Sequence, residues 1–352
     1  MGFIGFEDLK CKDKENSKKI FVVRNDKLGD FILAIPSLLA LKHAFLKKGI
    51  EVYLGVVVPS YTAPIALELP FIDEVIIEDN HLSVNLKDKS IDALIFLFSN
   101  FKNAKLAFSL RKHVRYILAP KTKAYFWLYK KSVRQSRSLC LKTEYEYNLD
   151  LINVFCKDYN LPNAQMPEIT YKLKDRIKER SILASKLNIN PNSLLIGVHI
   201  HSGGSSPVLP ASHFIKLIKI LHAKLDGEII LTCGPGERDA TELLLKEVPF
   251  AKLYDTSHSL VDLAKLCANL EIYIGNASGP LHVNALFDNL SIGFYPNELT
   301  ASIARWRPFN KHFLGITPPD NSDDMSLIDI EKESGKIIEF ITQNLSNHTQ
   351  ER

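Results

Sequence analysis

Strand-length apolar runs alternate with segments of helical period along nearly the whole chain. That alternation restricts the fold to parallel sheets with crossover helices, an α/β class. In the first half the runs are 19–23, 51–58, 74–77 and 93–98. Between the first two, 29–48 has helical spacing, with Phe31, Leu33, Ala34, Leu38, Leu41 and Phe45 near one stripe. In the second half, runs at 194–200, 228–233, 253–254, 272–274 and 291–294 are interleaved with helical segments at 211–224, 238–246, 260–269 and 281–288. The two series are separated by 158–174, which contains Pro162 and Pro167 and has little apolar periodicity. A length of 352 residues suits two domains. The pattern predicts two Rossmann-like doubly wound domains, 1–165 and 166–325, followed by a helix and tail at 326–352. Ligands of open α/β sheets collect at the carboxyl ends of strands, so two such domains are expected to face each other across a cleft.

Charge is uneven. From Phe101 to Thr143 there are twelve Lys and Arg and no Asp or Glu, more than the net +4 of the whole chain, so the remainder is net acidic. Within this segment Arg111, Lys112, Arg115, Lys121, Lys123, Lys130, Lys131, Arg134 and Arg137 are interleaved with Phe108, Tyr116, Tyr125, Phe126, Trp127 and Tyr129. Such a mixture suits an anionic lipid surface, although a cationic run can also be a solvated face. Nucleic acid is disfavoured, because no RNA-binding motif accompanies the patch. The five cysteines have no CxxC or metal-ligand spacing, which suits a reducing compartment and a cytoplasmic protein. The segment 1–19 has no apolar signal core, and the most apolar stretch, 54–71, holds Glu68 and three prolines, so no transmembrane span is expected.

Three strand-end turns carry candidate chemistry. Arg24-Asn25-Asp26-Lys27-Leu28-Gly29-Asp30 follows the first strand and opens a helix containing Pro36. Asp30 in the first helical turn could cap that helix, or could act as a general base on an acceptor hydroxyl. Asn276-Ala277-Ser278-Gly279-Pro280-Leu281-His282 also joins a strand to a helix. Ser278 or Gly279 would serve as N-cap and free amides would suit a phosphate, or the turn is an ordinary strand-helix connection. His201-Ser202-Gly203-Gly204-Ser205-Ser206 is a small loop whose amides and hydroxyls could cradle phosphate. Gly234-Pro235-Gly236-Glu237 adds an acid able to accept from ribose hydroxyls, or simply a solvated glutamate at a helix start, the commoner case. Together these turns describe a nucleoside-diphosphate pocket in the second domain.

The Arg-Asn-Asp-Lys-Leu-Gly-Asp signature with Pro36, Asn276 to His282, and Arg305-Trp306-Arg307-Pro308 jointly resemble the lipopolysaccharide heptosyltransferases of glycosyltransferase family 9. The resemblance runs from about residue 19 to about 310, with its two main motifs far apart and in the right order. It implies a GT-B architecture, an ADP-heptose donor, an acceptor on the lipopolysaccharide inner core, inversion at the anomeric carbon, and no cofactor or essential metal. It also implies a peripheral position on the cytoplasmic face of the inner membrane. By position it makes Asp30 the catalytic base. It makes Ser278 and Gly279 the phosphate-binding turn, His282 the helix histidine and Glu237 the ribose-binding acid; with the loop residues Ser202, Gly203, Gly204 and Ser205 and with Asn276 these are the donor-binding candidates, and the cations Arg24, Lys27, Arg111, Lys121 and Lys123 are the acceptor-binding candidates. Ala277 stands where many relatives have Asp, and Pro207 stands where they have Lys. A relative with another nucleotide-sugar donor or acceptor, or a non-catalytic nucleotide-sugar or glycolipid binding protein, therefore remains an alternative.

Overall fold

The computed structural model describes residues 3–4, 9–122, 124–204 and 206–351. The chain divides into an amino-terminal unit, Phe6–Glu168, and a carboxy-terminal unit of Ile169–Arg352 with Met1–Gly5.

The amino-terminal unit is built on six parallel strands, β1 (Lys18–Val23), β2 (Val52–Val58), β3 (Glu74–Ile77), β4 (Ala93–Phe96), β5 (Tyr116–Pro120) and β6 (Lys131–Val133). Their order is β3-β2-β1-β4-β5-β6, the doubly wound order whose topological switch lies between the first and fourth strands. The central strands are continuous apolar runs because helices cover both faces of a parallel sheet. The helices include α1 (Leu28–Ile32), α2 (Ile35–Lys47), α3 (Phe101–Ser109) and α4 (Glu144–Asp158), besides short helices at Ala63–Leu67 and Leu82–Lys87. α2 packs on α4, with the Phe45 and Phe155 rings 6.2 Å apart.

The single helix expected over 29–48 is two helices broken at Leu33–Ala34. Pro36 explains the break, since it offers no N–H and its ring would clash with the carbonyl of Ile32 in a continuous helix. It sits instead in the first turn of α2, where no partner is needed. The stretch Leu28–Lys47 has the length and apolar content of a membrane span, but it is mostly buried within the unit as core. β5 and β6 lie inside the cationic segment and were not expected as strands. β6 is a three-residue edge, and such a strand is marked only weakly by its sequence.

The carboxy-terminal unit repeats the plan with β7 (Leu194–His199), β8 (Gly227–Cys233), β9 (Lys252–Asp255), β10 (Ile272–Asn276), β11 (Leu290–Phe294) and β12 (Phe313–Ile316), all parallel, in the order β9-β8-β7-β10-β11-β12. Its helices are α5 (Arg176–Leu187), α6 (Ala211–Lys224), α7 (Arg238–Glu247), α8 (Leu260–Asn269), α9 (Gly279–Ala285) and α10 (Ile330–Glu351). The carboxyl-terminal helix α10 belongs to this unit: Ile337 and Ile341 are fully buried in its core, and the helix packs on α6. Residues Phe3–Ile4 pair antiparallel with Lys172–Leu173.

One buried ion pair fastens α2 to the amino-terminal sheet. Lys42 donates to Asp73 Oδ2 at 2.6 Å and to the Val52 carbonyl at 2.8 Å. Asp73 also accepts from the backbone of Leu54 at 2.7 Å and of Cys11 at 2.6 Å. Removing the cation leaves a carboxylate buried without its counter-charge. Lys42→Met should therefore cost about 3–5 kcal/mol, seen as a lower urea midpoint for this unit, whereas an unchanged midpoint would show the pair to be dispensable.

Candidate functional site

Both sheets carry polar clusters at the carboxyl ends of their strands, beside the switch point. In the amino-terminal unit the register Val23↔Phe96 sets Arg24 beside Leu97. The Arg24 side chain turns inward and is only 2% exposed. Its Nε donates to Asp26 at 2.9 Å. Nη1 donates to Glu144 and Asn148, both at 3.1 Å, and to the Leu97 carbonyl at 3.4 Å. Nη2 donates to Asp30 at 2.5 Å and to Glu144 at 3.1 Å. All three guanidinium nitrogens are thus committed inside the unit. The expectation that Arg24 binds an acceptor is corrected: it is the internal partner of the residue expected to be the base.

Glu144 opens α4 directly after Thr143, whose side chain and that of Glu146 form a reciprocal capping box. Glu144 also accepts from Arg137 Nη1 at 2.5 Å, and Arg137 in turn is braced by Gln135 at 2.8 and 2.9 Å. Asn148 donates to the Leu33 carbonyl at the break between α1 and α2, at 3.3 Å. Two cations thus face three carboxylates. Burial works against the charge of Arg24, yet Asp26, Asp30 and Glu144 outweigh it and hold the guanidinium protonated well above its ordinary range. Burial pushes the Asp26 carboxyl up, and the neighbouring Asp30 and Glu144 charges add to that despite Arg24.

Asp30 lies in α1, one turn past Lys27, with 15% of its side chain exposed. Arg24 holds one of its oxygens. The other accepts no hydrogen bond among the described residues, so its lone pairs remain for a proton from outside the network. Asp26, Glu144 and Arg137 were not singled out from the sequence as site residues. The signals available were the spacing of the two aspartates on one loop and the Thr143–Glu146 cap.

The remaining acceptor candidates are dispersed. Lys27 is exposed at the start of α1, and Lys121 follows β5 at the carboxyl edge, its ammonium 4.0 Å from the centre of the Phe126 ring. Lys123 lies outside the described residues. Arg111 is a correction: it follows α3, which runs back along the sheet, and precedes β5. It therefore lies toward the amino ends of the strands, away from Asp30, and donates to the Trp127 carbonyl at 3.4 Å. Two members of the expected cationic-aromatic surface are internal and a third is half-buried. Arg137 is buried on Glu144, Tyr129 is buried against Phe96 and Ser99, and Tyr116 packs on Phe155 and Tyr159 while donating to Asp158.

In the carboxy-terminal unit the donor candidates gather on three adjacent strand ends, those of β8, β7 and β10. The register Gly275↔His199 sets Asn276 beside Ile200. Asn276 is wholly buried. It donates to the Ile200 carbonyl at 2.7 Å and accepts from the Leu209 backbone at 2.9 Å, so it clamps the loop after β7 to the end of β10. Its side chain is a clamp and not a free ligand contact, which corrects the expectation. The Ser202 hydroxyl likewise donates to the Ser206 carbonyl at 3.2 Å. Gly203 and Gly204 have φ of +60° and +72° with open space where a Cβ would stand. The conformation of that exposed loop, not crowding, demands glycine there. Ser205 lies outside the described residues.

Glu237 folds back onto its own turn, accepting from the Gly234 backbone at 2.6 Å. Its other near neighbour is His199, Nε2 to Oε2 3.7 Å. His199 Nδ1 lies 3.0 Å from Thr232 Oγ1 and 3.2 Å from its carbonyl. Burial pushes the His199 pKa down although Glu237 opposes it, so the ring is neutral at pH 7.

Ser278 is the N-cap of α9 but makes no side-chain capping bond, and its Oγ is buried without a partner among the described residues. One turn on, His282 is 4% exposed with Nδ1 likewise unpartnered. Gly279, between them, is half-buried. Ser278 Oγ and His282 Nδ1 thus lie on successive turns at the start of α9, each buried with bonding capacity unused among the described residues.

Two six-stranded parallel sheets, one in each unit and each covered by helices, give the α/β fold class of the GT-B glycosyltransferases. The chain belongs to glycosyltransferase family 9, the heptosyltransferase family, whose model matches residues 80–325. A Haemophilus influenzae protein named "Putative glycosyltransferase" is 37% identical over 342 residues, covering 92% of this chain and 97% of that protein. Among solved structures, a family 9 glycosyltransferase from Veillonella parvula superposes with a TM-score of 0.75 at 18% identity, covering 94% of this chain and 99% of that one. Escherichia coli ADP-heptose lipopolysaccharide heptosyltransferase II gives 0.74 at 17%, covering 93% and 99%. E. coli heptosyltransferase WaaC with ADP gives 0.69 at 16%, covering 92% and 99%.

Burial holds His282 neutral, with its pKa pushed down to about 4 from 6.5. The unfolded chain takes up this proton near pH 6.5 and the folded chain only near pH 4, so the associated stability is complete above pH 6.5 and is lost as pH falls toward 4. His282→Asn should remove on the order of 3 kcal/mol of that acid dependence, read as a flatter plot of urea midpoint against pH. An unchanged slope would assign the titration to other groups.

Proposed function

We propose that this chain transfers heptose from ADP-heptose to the inner core of lipopolysaccharide with inversion at the anomeric carbon. The observation that carries the reading is Asp30, a strand-end carboxylate with one oxygen held by a buried arginine and the other accepting no bond among the described residues. In the reaction, the Asp30 carboxylate takes the proton of an acceptor hydroxyl as that oxygen bonds to the anomeric carbon. The bond from that carbon to the diphosphate breaks on the opposite face, and ADP leaves with the electron pair. Ser278 and His282, with unpartnered polar atoms, and the amides of the Ser202–Gly204 loop answer the charge on the departing diphosphate. Glu237 accepts from the ribose hydroxyls. The scheme uses no metal and no cofactor. Family membership, and the fold shared with E. coli WaaC in its complex with ADP, support the nucleotide.

A second reading, a related transferase with another donor, is favoured by Ala277 and Pro207. Those positions lack the acid and the lysine of many relatives, and the missing lysine removes a positive charge from the expected diphosphate site. Release of ADP on mixing ADP-heptose with core acceptor, against a panel of other nucleotide sugars, separates the two. Asp30→Asn should lower turnover at least about 10²-fold while leaving ADP affinity unchanged. Full turnover in that variant would remove Asp30 as the base, and absence of transfer from every donor would leave a binding protein.

The acceptor is an anionic glycolipid, and the α3 face of the amino-terminal unit suits the cytoplasmic surface of the inner membrane. Phe101, Phe108 and Trp127 are exposed there, Trp127 by 61%. Lys105 lies over the Phe101 ring and Arg111 over Phe108, so cation and apolar surface coincide. The protein should sediment with vesicles containing anionic phospholipid, lose that binding as salt is raised, and lose most of it in the double variant Phe108→Ser, Trp127→Ser. Binding indifferent to both lipid charge and salt would refute the membrane reading.

A further inference from the structure

We propose that Arg24, anchored by Glu144 and Asn148 on α4, is the positioning residue that aims the Asp30 carboxylate. The inference rests on the reading of Asp30 as the base. The network runs from a buried root to a partly open tip. Glu144 is 1% exposed at the side chain and Arg24 2%, whereas Asp26 and Asp30 are 12% and 15% exposed. Four partners fix the guanidinium plane before Asp30 is reached: Glu144 and Asn148 from α4, the Leu97 carbonyl after β4, and Asp26. Arg137 and Gln135 brace Glu144 from the far side. The arginine therefore cannot follow Asp30, and Asp30 must align to it.

A carboxylate bonded through one oxygen to an immobile N–H has restricted rotation about its terminal torsion, which directs the lone pairs of its second oxygen in one direction. General-base catalysis depends on that alignment. The arrangement is also expensive as mere structure. Three carboxylates and two guanidinia packed beneath a sheet edge are seldom more stabilising than apolar residues of similar volume, so a role beyond stability accounts for them better.

Arg24 acting through Asp30 predicts a pattern that a structural arginine would not give. Arg24→Met and Glu144→Gln should each lower kcat at least about tenfold with the KM for ADP-heptose within about twofold, and Arg24→Lys should recover part of the loss. Combined with Asp30→Asn, either substitution should cause no further loss, because the group it aims is already gone. If Asp30→Asn is inactive but Arg24→Met keeps the parental kcat, or the two losses multiply in the double variant, the positioning role is overturned and the base assignment stands. If Asp30→Asn keeps full turnover, the base assignment falls and the positioning role with it. Should Arg24→Met not fold, as judged by its urea transition, Arg24→Lys and Glu144→Gln carry the same comparison, and kcat unchanged in both overturns the proposal.

Discussion

The polar clusters at the strand ends of this protein are placed by the covering of parallel sheets on both faces. β1 is buried from Ile20 to Val23, and β10 is buried along its whole length. Neither strand can carry a charged side chain within the sheet without an uncompensated desolvation cost. Polar chemistry is displaced to the points where the chain leaves the sheet, and it is densest where two neighbouring strands send their connections to opposite faces. In the amino-terminal unit that point brings together Arg24 after β1 and Leu97 after β4, joined by a hydrogen bond. In the carboxy-terminal unit it brings together Ile200 after β7 and Asn276 at the end of β10, again joined. The same topology thus makes two clamps of the same kind, one ionic and one neutral.

The difference between the clamps divides the chemistry. Around Arg24 three carboxyl side chains share two guanidinium groups, so that cluster is ionic. Around His199 and His282 burial keeps two imidazoles uncharged, and the unsatisfied atoms of Ser278 and His282 are neutral hydrogen-bonding groups.

Much of this was legible in the sequence. Helices at Ala211–Lys224 and Leu260–Asn269 fall where the apolar period puts them, and the placing of Asp30, Ser278 and Pro280 in first helical turns or at an N-cap follows from turn chemistry alone. The losses have physical causes. The apolar stripe over 29–48 continues through the break, so periodicity alone hides it, although Pro36 marked where a helix must restart. The helix α4 has a capping-box signature in Thr143 and Glu146 that went unused beside the more conspicuous cationic run. Arg24 and Asn276 look like ligand contacts because polar residues after strands often are. Whether such a side chain turns outward or back into the protein depends on partners more than a hundred or some seventy residues away, Glu144 for one and Ile200 for the other, which no local pattern reveals.

The cationic segment shows how tertiary structure redistributes a composition signal. Arg137 is buried on Glu144, and Lys102, Lys131 and Lys142 pair with Glu78, Asp158 and Asp150, all acids from outside the segment. The bare count of cations thus overstates the field this region presents. What remains is organised differently from a solvated lysine face. Lys105, Arg111 and Lys121 each lie over an aromatic ring of α3 or of the turn that follows β5. A cation held against a ring keeps its charge while its stem and the ring together offer apolar area, so charge and apolar surface coincide there.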